Sequence, residues 1–345
     1  MGVKQFGARV NRLEDATLLT GQGRYVDDVA PPGTLVATFV RSPHAHARVN
    51  AIDTCVAADM PGVVAVLTAR DLPGPAATER MPMLMPNAVI SALRTQHCLA
   101  VDEVCFVGQT VAVIVADSRY AAEDAAARVD VDYDILPAVS DLKTALDPNA
   151  PPAHADLESN LASSFQMAYG DVDAAFAEAS HIIDEDFFLH RGGGMAMETR
   201  GVLASYDKFS DLLTVWASTQ TPHIARRMLA DQLGINPERI RYTAQDVGGG
   251  FGPKAIYYPE ETAIAAAAML LAQPVKWTED RREHFMCATQ ERDQFWTASI
   301  AVDSEGTIIG VKGTLLHDTG AFVPWGIIMP YIAAATVPGP YIIPS

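Results

Sequence analysis

The sequence predicts an α/β fold, with α+β character, in two unequal parts. Three observations carry this. Residues 106–138 read as a buried strand, an amphipathic helix and another strand. Residues 211–273 read as strand, helix, strand, glycine loop and helix. Between them, a stretch with prolines at Pro137, Pro148, Pro151 and Pro152 interrupts all periodic patterning. The division that follows is a first domain over 1–140, a linker over 141–153 and a second domain over 154–345.

Length and composition bound what such a chain can be. At 345 residues, with 49% hydrophobic and 19% charged residues, it has material for a sizeable core and the profile of a soluble globular protein. Its 25 Lys plus Arg against 42 Asp plus Glu leave a net charge of −17. Such a surface repels phosphate backbones and anionic membranes, so nucleic acid is not expected as a partner. The opening MGVKQFGARVNRLED has no apolar signal core. No apolar run reaches the roughly 20 residues that span a bilayer. Cys55, Cys98, Cys105 and Cys287 show no CxxC or metal-ligand spacing and read as reduced, mostly buried thiols of a cytoplasmic protein.

In the first domain, short β-type runs alternate with Pro-Gly and Asp turns from Gly23 to Gly74. His44 and His46 lie two apart in SPHAHARV and could suggest a metal pair. No third ligand with suitable spacing is apparent, so they read as structural hydrogen-bonding residues. After the linker, GDVDAAFAEASHIIDEDFFLH gives a short helix and an alternating strand. The glycines of RGGGMAMETRG argue for tight backbone but read as a strand-connecting loop, with Glu198 and Arg200 as a structural ion pair or loop brace.

In DLLTVWASTQ, Leu213, Val215 and Ala217 alternate with Thr214, Trp216 and Ser218, and the strand ends in the polar tip Ser218, Thr219, Gln220. A helix follows, with Pro222 near its start and Gly234 as its stop. PERIRYTAQDV then delivers the chain into QDVGGGFGPK. Gly248, Gly249, Gly250 and Gly252 leave backbone that can hug something flat or anionic, and Lys254 adds charge. The loop fits neither GxxxxGKS/T nor a GxGxxG that opens a helix, so taken alone it leaves the ligand open and admits either a plain turn or a phosphate cradle. YPEETAIAAAAMLLAQP is a helix suited to burial against a sheet, and AVDSEGTIIGVKGTLLHDTGAF is a hairpin turning at Asp303 to Gly306.

The order STQTPH, QDVGGGFGPK, PVKWTEDRREHF resembles the molybdenum-binding subunit of the xanthine dehydrogenase, aldehyde oxidase and aerobic carbon monoxide dehydrogenase family of molybdenum hydroxylases. SPHAHARV, PGVVAVLTARDLPG and FVGQTVAVIVADSRYAAEDAA resemble the hammerhead domain that opens that subunit. Ala196 departs from the proline common in the family's Pro-Met-Glu, although Met197, Glu198, Arg200 and Gly201 are kept. The resemblance covers nearly the whole chain but only about half of the family's subunit: the hammerhead domain and the first part of the molybdopterin-binding domain.

The resemblance implies that Gln220 donates a hydrogen bond to an oxo ligand of molybdenum. It also implies that Gly248, Gly249, Gly250, Phe251 and Gly252 pack against the metal and its pterin, with Lys254 in the cofactor-binding set. No residue of the chain would ligate the metal directly. The implied cofactor is molybdenum-molybdopterin in its cytosine dinucleotide form, with FAD on a medium subunit and 2Fe–2S clusters on a small iron–sulfur subunit. The implied reaction oxidises an aldehyde or an N-heterocycle with water as oxygen source. The family's substrate-orienting arginine and catalytic-base glutamate have no counterpart here. A further chain carrying the rest of the subunit is therefore expected, and this chain alone is expected to be inactive. The alternative is a truncated, non-catalytic scaffold. Without its other half, the apolar helix around Ala263 to Ala272 is expected to lose part of its cover.

Overall fold

The computed structural model describes residues 6–90 and 94–345; the first five residues of the N-terminal segment read above for targeting lie outside them. Up to residue 137 the elements are α1 (Asp15–Leu19), β1 (Leu35–Arg41), β2 (Ala47–Asp53), α2 (Cys55–Ala58), β3 (Val63–Leu67), β4 (Glu103–Val104), β5 (Thr110–Ala116), α3 (Arg119–Ala126) and β6 (Asp130–Ile135). From Val172 come α4 (Val172–Glu178), β7 (His181–Leu189), β8 (Gly201–Asp207), β9 (Leu212–Ala217), α5 (Pro222–Leu233), β10 (Ile240–Ala244) and α6 (Pro259–Leu271). The chain ends with β11 (Val275–Thr278), α7 (Arg281–Cys287), β12 (Gln294–Val302), β13 (Ile308–His317) and α8 (Ile328–Ala335).

The architecture is mixed α/β, as the sequence predicts. Residues 136–171 form neither helix nor regular strand, in keeping with the prolines there. The main sheet nevertheless crosses this stretch. Its order is β10-β9-β8-β11-β1-β5-β3, three strands from before the prolines and four from after. The junction is a short parallel pairing of Leu35 with Val275 and Val36 with Lys276.

Strand β5 shows why the core sits where it does. Thr110 to Ala116 is buried throughout because both faces are covered. Val113 and Val115 join the large cluster that includes Ile264 and Ala267 of α6, whereas Ile114 and Ala116 meet Ala122 and Ala125 of α3. The period of two along the strand thus feeds two cores at once. Helix α6 is buried from Pro259 to Ala268, its small residues allowing close approach on the sheet. The expectation that this helix loses cover fails for Ala263 to Ala268, which this chain encloses, whereas Leu270 near the helix end is exposed. Further apolar exposure lies on β7, an edge strand with Ile182, Ile183, Phe187 and Phe188 all exposed. Among the described residues it pairs only with β12, which forms the expected hairpin with β13, turning through Gly306 at φ 84°. A third sheet, β4-β2-β6, completes the hammerhead.

No helix among the described residues is long and apolar enough to cross a membrane. All four cysteines are free, but only Cys98 is fully buried; Cys105 and Cys287 are half-buried and Cys55 is exposed.

Candidate functional site

Strands β9 and β10 are parallel neighbours, so their carboxyl ends open on one edge of the sheet, where ligands of α/β sheets bind. Gln220 sits just past the end of β9 and the glycine loop just past the end of β10. They are stitched together: Gln220 N–H donates to the Lys254 carbonyl at 2.8 Å and the Thr219 hydroxyl to the same oxygen at 3.2 Å. Pro222 at the first turn of α5 and Gly234 at its end, φ 64°, set the helix between the two strands, as the sequence reading expects.

The Gln220 side chain lies directly on the loop. Gly252 N–H donates to Gln220 Oε1 at 3.0 Å. Only the carbonyl oxygen of an amide can accept that bond, so the amide orientation is fixed and its NH2 is the end left to donate. Gln220 itself is exposed, at the tip of an otherwise buried Ala217–Ser218–Thr219 segment.

The glycines divide by what they touch. A Cβ on Gly248 would come within 2.5 Å of Glu198 Cβ, and one on Gly250 within 2.5 Å of Gln220 Cδ. One on Gly249 would stand 3.1 Å from Ala196 Cβ, and Gly249 has φ +102°. Gly194, from the other glycine triplet, would meet Pro253 and Phe251 at 2.8 and 2.9 Å. The first triplet is thus more than a strand connection: its end packs against the Phe251 and Pro253 side chains that follow the second. Gly252 differs, with φ +99° and nothing within 4 Å of the position a Cβ would take. Beside it Phe251 also holds a left-handed φ of 53° and is 73% exposed. A bulky residue in that region is strained, and such strain is concentrated at functional sites. The open surface of the loop is therefore Phe251 and Gly252, next to the Gln220 amide.

Lys254 is turned inward. Its ammonium is fully buried and pairs with Glu198 Oε2 at 2.9 Å, so its charge is spent within the fold and the expected charge on the loop's outer face is not there. Burial pulls its pKa down, against the opposing pull of Glu198. The same carboxylate oxygen accepts from the Ser218 hydroxyl at 2.6 Å and from Gly248 N–H at 2.8 Å, while Glu198 Oε1 is buried without a partner among the described residues. Glu198 and Arg200 are both braces, but they are not paired with each other. Each takes a partner from elsewhere in the chain: Glu198 the Lys254 ammonium and Arg200 the Glu279 carboxylate.

Arg200 instead enters a buried charge network beneath the loop. Its Nη2 lies 2.5 Å from Glu279 Oε1 and its Nη1 3.3 Å from Glu260 Oε2, with the guanidinium 3.9 Å over the Tyr258 ring. Arg41 supplies a second cation, 2.9 Å from Glu260 and 2.8 Å from Glu283. Burial works to raise the Glu279 pKa, but Arg200 and His284 outweigh it and hold the group at about 2. Glu261, next to Glu260, makes no ion pair among the described residues; burial pushes it up to about 7, against hydrogen bonds from the Tyr242 hydroxyl and Tyr258 N–H and the pull of Arg200. From PVKWTEDRREHF, Arg281 donates to the Ala196 and Met197 carbonyls at 2.6 and 3.0 Å, and His284 bridges Glu279 and the Gly194 carbonyl. Glu260, Glu279 and Arg41 were not singled out from sequence. The available signal was a charged residue at the end of an apolar strand or in the first turn of an apolar helix, where burial forces pairing.

The expected first-domain histidines separate. His46 is buried and hydrogen-bonded, whereas His44 packs edge-on against Tyr133 at 4.9 Å between ring centres.

A glycine loop and an exposed amide at the carboxyl ends of parallel strands make this edge a candidate ligand-binding site. The molybdopterin cofactor-binding domain family matches residues 153–345, and the aldehyde oxidase and xanthine dehydrogenase a/b hammerhead domain family matches residues 20–137. The chain is 40% identical over 316 residues to the nicotine 6-hydroxylase large subunit of Paenarthrobacter nicotinovorans, covering 92% of this chain and 38% of the relative. It is 38% identical over 329 residues to the carbon monoxide dehydrogenase large chain of Afipia carboxidovorans, covering 92% and 40%. The crystal structure of quinoline 2-oxidoreductase from Pseudomonas putida 86 superposes with a TM-score of 0.89 at 35% identity, covering 98% of this chain and 43% of that one. The chain belongs to the large, molybdenum-binding subunit family of molybdenum hydroxylases, and it spans about two fifths of the length of these relatives.

Proposed function

We propose that this chain is the molybdopterin-binding part of a molybdenum hydroxylase that oxidises an N-heterocycle or aldehyde with water as oxygen source. The observation that carries this reading is the Gln220 amide, whose oxygen is held by Gly252 N–H and whose NH2 has no hydrogen-bond partner among the described residues, beside the open Phe251–Gly252 surface. That arrangement fits the cofactor. The neutral amide would donate to its oxo group without adding a charge that competes for the metal, and Phe251 and Gly252 would lie against the pterin. Gly248, Gly249, Gly250 and Lys254 shape and anchor the loop from behind. When bound, the cofactor supplies the redox and oxygen-transfer chemistry; the chain positions it.

The names of the nicotine and quinoline enzymes favour an N-heterocycle as the substrate class. The catalytic base and the substrate-orienting arginine would belong to sequence outside these residues, on a longer or a separate chain. Electrons would leave through a 2Fe–2S small subunit to an FAD-binding medium subunit, and the cofactor would carry the cytosine dinucleotide. A cytoplasmic location suits four free cysteines. The test is Gln220→Ala in the complete enzyme. Turnover should fall by about tenfold to a thousandfold, as for loss of an oxyanion donor, with molybdenum content unchanged. Undiminished turnover at full metal loading would remove the assignment.

A further inference from the structure

His46 and three residues distant in sequence converge on the far side of the hammerhead. His46 precedes β2, Glu103 opens β4, Cys105 follows it, and His154 follows the proline-rich stretch. His46 Nε2 lies 2.7 Å from Glu103 Oε1, His154 Nδ1 lies 3.9 Å from Glu103 Oε2, and Cys105 Sγ lies 3.3 Å from His154 Nδ1. The donor atoms of His46, Glu103 and Cys105 all fall within 4.8 Å of one another; His154 stands outside that trio and reaches it through Cys105 and Glu103, whose Oε1 also accepts from Ala155 N–H at 2.7 Å. Both imidazoles are aimed by their outer nitrogens: His46 Nδ1 is 2.9 Å from the Pro137 carbonyl and His154 Nε2 is 2.5 Å from the Ala321 carbonyl. A carbonyl only accepts, so each outer nitrogen donates its hydrogen and each inner nitrogen is turned into the cluster. This is the outer-shell arrangement that orients histidines on a metal.

We propose that His46, Glu103, Cys105 and His154 form a structural zinc-type cation site that ties the hammerhead to the segment beyond the prolines. Bonds of about 2.0 to 2.3 Å in tetrahedral geometry put neighbouring ligands about 3.3 to 3.8 Å apart, close to the two longer separations. The 2.7 Å contact is a hydrogen bond that would open by about half an ångström on binding. Two neutral imidazoles, one carboxylate and one thiolate balance a divalent ion. A mixed N, S and O set selects zinc over magnesium or calcium, which take oxygen ligands. Binding would release the thiol proton of Cys105 and the proton held between His46 and Glu103. Four protein ligands leave no open position, which makes the site structural and separates it from the Gln220 surface.

The experiment uses the complete enzyme, stripped by a chelator, dialysed and titrated with Zn2+ alone, with molybdenum quantified in parallel. The expected result is about one zinc per chain, with X-ray absorption showing one sulfur and three nitrogen or oxygen neighbours. Cys105→Ser should lose the sulfur signal and weaken binding by about tenfold or more, while His44→Ala should leave binding unchanged. A folded wild-type enzyme that takes up no stoichiometric zinc, or binds it without sulfur, would show the cluster to be only a hydrogen-bonded brace. Should Cys105→Ser fail to fold, the wild-type spectrum decides alone.

Discussion

Gly250→Ala adds a single methyl group where the Gln220 side chain already lies. The new Cβ would stand 2.5 Å from Gln220 Cδ, 2.6 Å from Oε1 and 2.7 Å from Cγ, closer than any real contact. Gly250 does not use a left-handed φ, so alanine brings no backbone strain of its own. The Gln220 backbone is tethered to the Lys254 carbonyl, so the side chain must swing away. It then gives up the Gly252 N–H bond, which contributes about 0.5 to 1.5 kcal/mol to stability, a small loss for the fold. The functional loss should be larger. Without its fixed amide the enzyme should fall in turnover by about the tenfold to thousandfold expected of Gln220→Ala. The informative assay is the double mutant. If Gly250 acts only by making room for Gln220, then Gln220→Ala/Gly250→Ala should be no slower than Gln220→Ala, a coupling of at least about 1.4 kcal/mol. Steady-state kinetics normalised to molybdenum content measures it. Losses that multiply would refute the reasoning and give Gly250 a separate role.

Two predictions concern the supporting network. Glu261 has a folded pKa of about 7 against an ordinary 4.5, so the folded state holds its proton more tightly. Its effect on stability is therefore most favourable below pH 4.5 and declines as pH rises to about 7, by about 3 kcal/mol in all. Glu261→Gln keeps the side-chain shape and should flatten that decline in urea unfolding between about pH 5 and about pH 8; an unchanged pH dependence would show that the carboxyl stays ionised. Lys254→Met should cost about 3 to 5 kcal/mol by leaving the Glu198 carboxylate half-buried without its cation. Adding Glu198→Gln should recover part of it, and a double mutant no more stable than the single would count against the pair as the loop's anchor.

What could be read from the sequence was local. The alternation of Leu213, Val215 and Ala217, the stops at Gly234 and Gly306, and the prolines at 148–152 each act through their own neighbours, and the elements formed where they indicate. The position of Gln220 at a strand end belongs to the same class. What escaped depends on contacts between residues far apart. Leu35 meets Val275 across 240 positions, which joins the two sequence regions in one sheet. Glu198 takes Lys254, not Arg200, as its partner because the loop folds back over it. Three of the loop's glycines accommodate Glu198, Ala196 and Gln220 of this same chain, so the glycine count alone overstates how much of the loop a ligand needs. His46 found its third and fourth neighbours only when β4 and the segment after Pro152 were placed beside it.

The central claim is that the Gln220, Phe251 and Gly252 surface takes a molybdenum-pterin cofactor. Its most direct test is elemental and pterin analysis of the complete enzyme purified with the partner subunits proposed for it. The account predicts about one molybdenum and one pterin for each copy of this chain. A folded, fully assembled complex that carries neither, or a loop that binds a phosphate compound in place of the pterin, would contradict it.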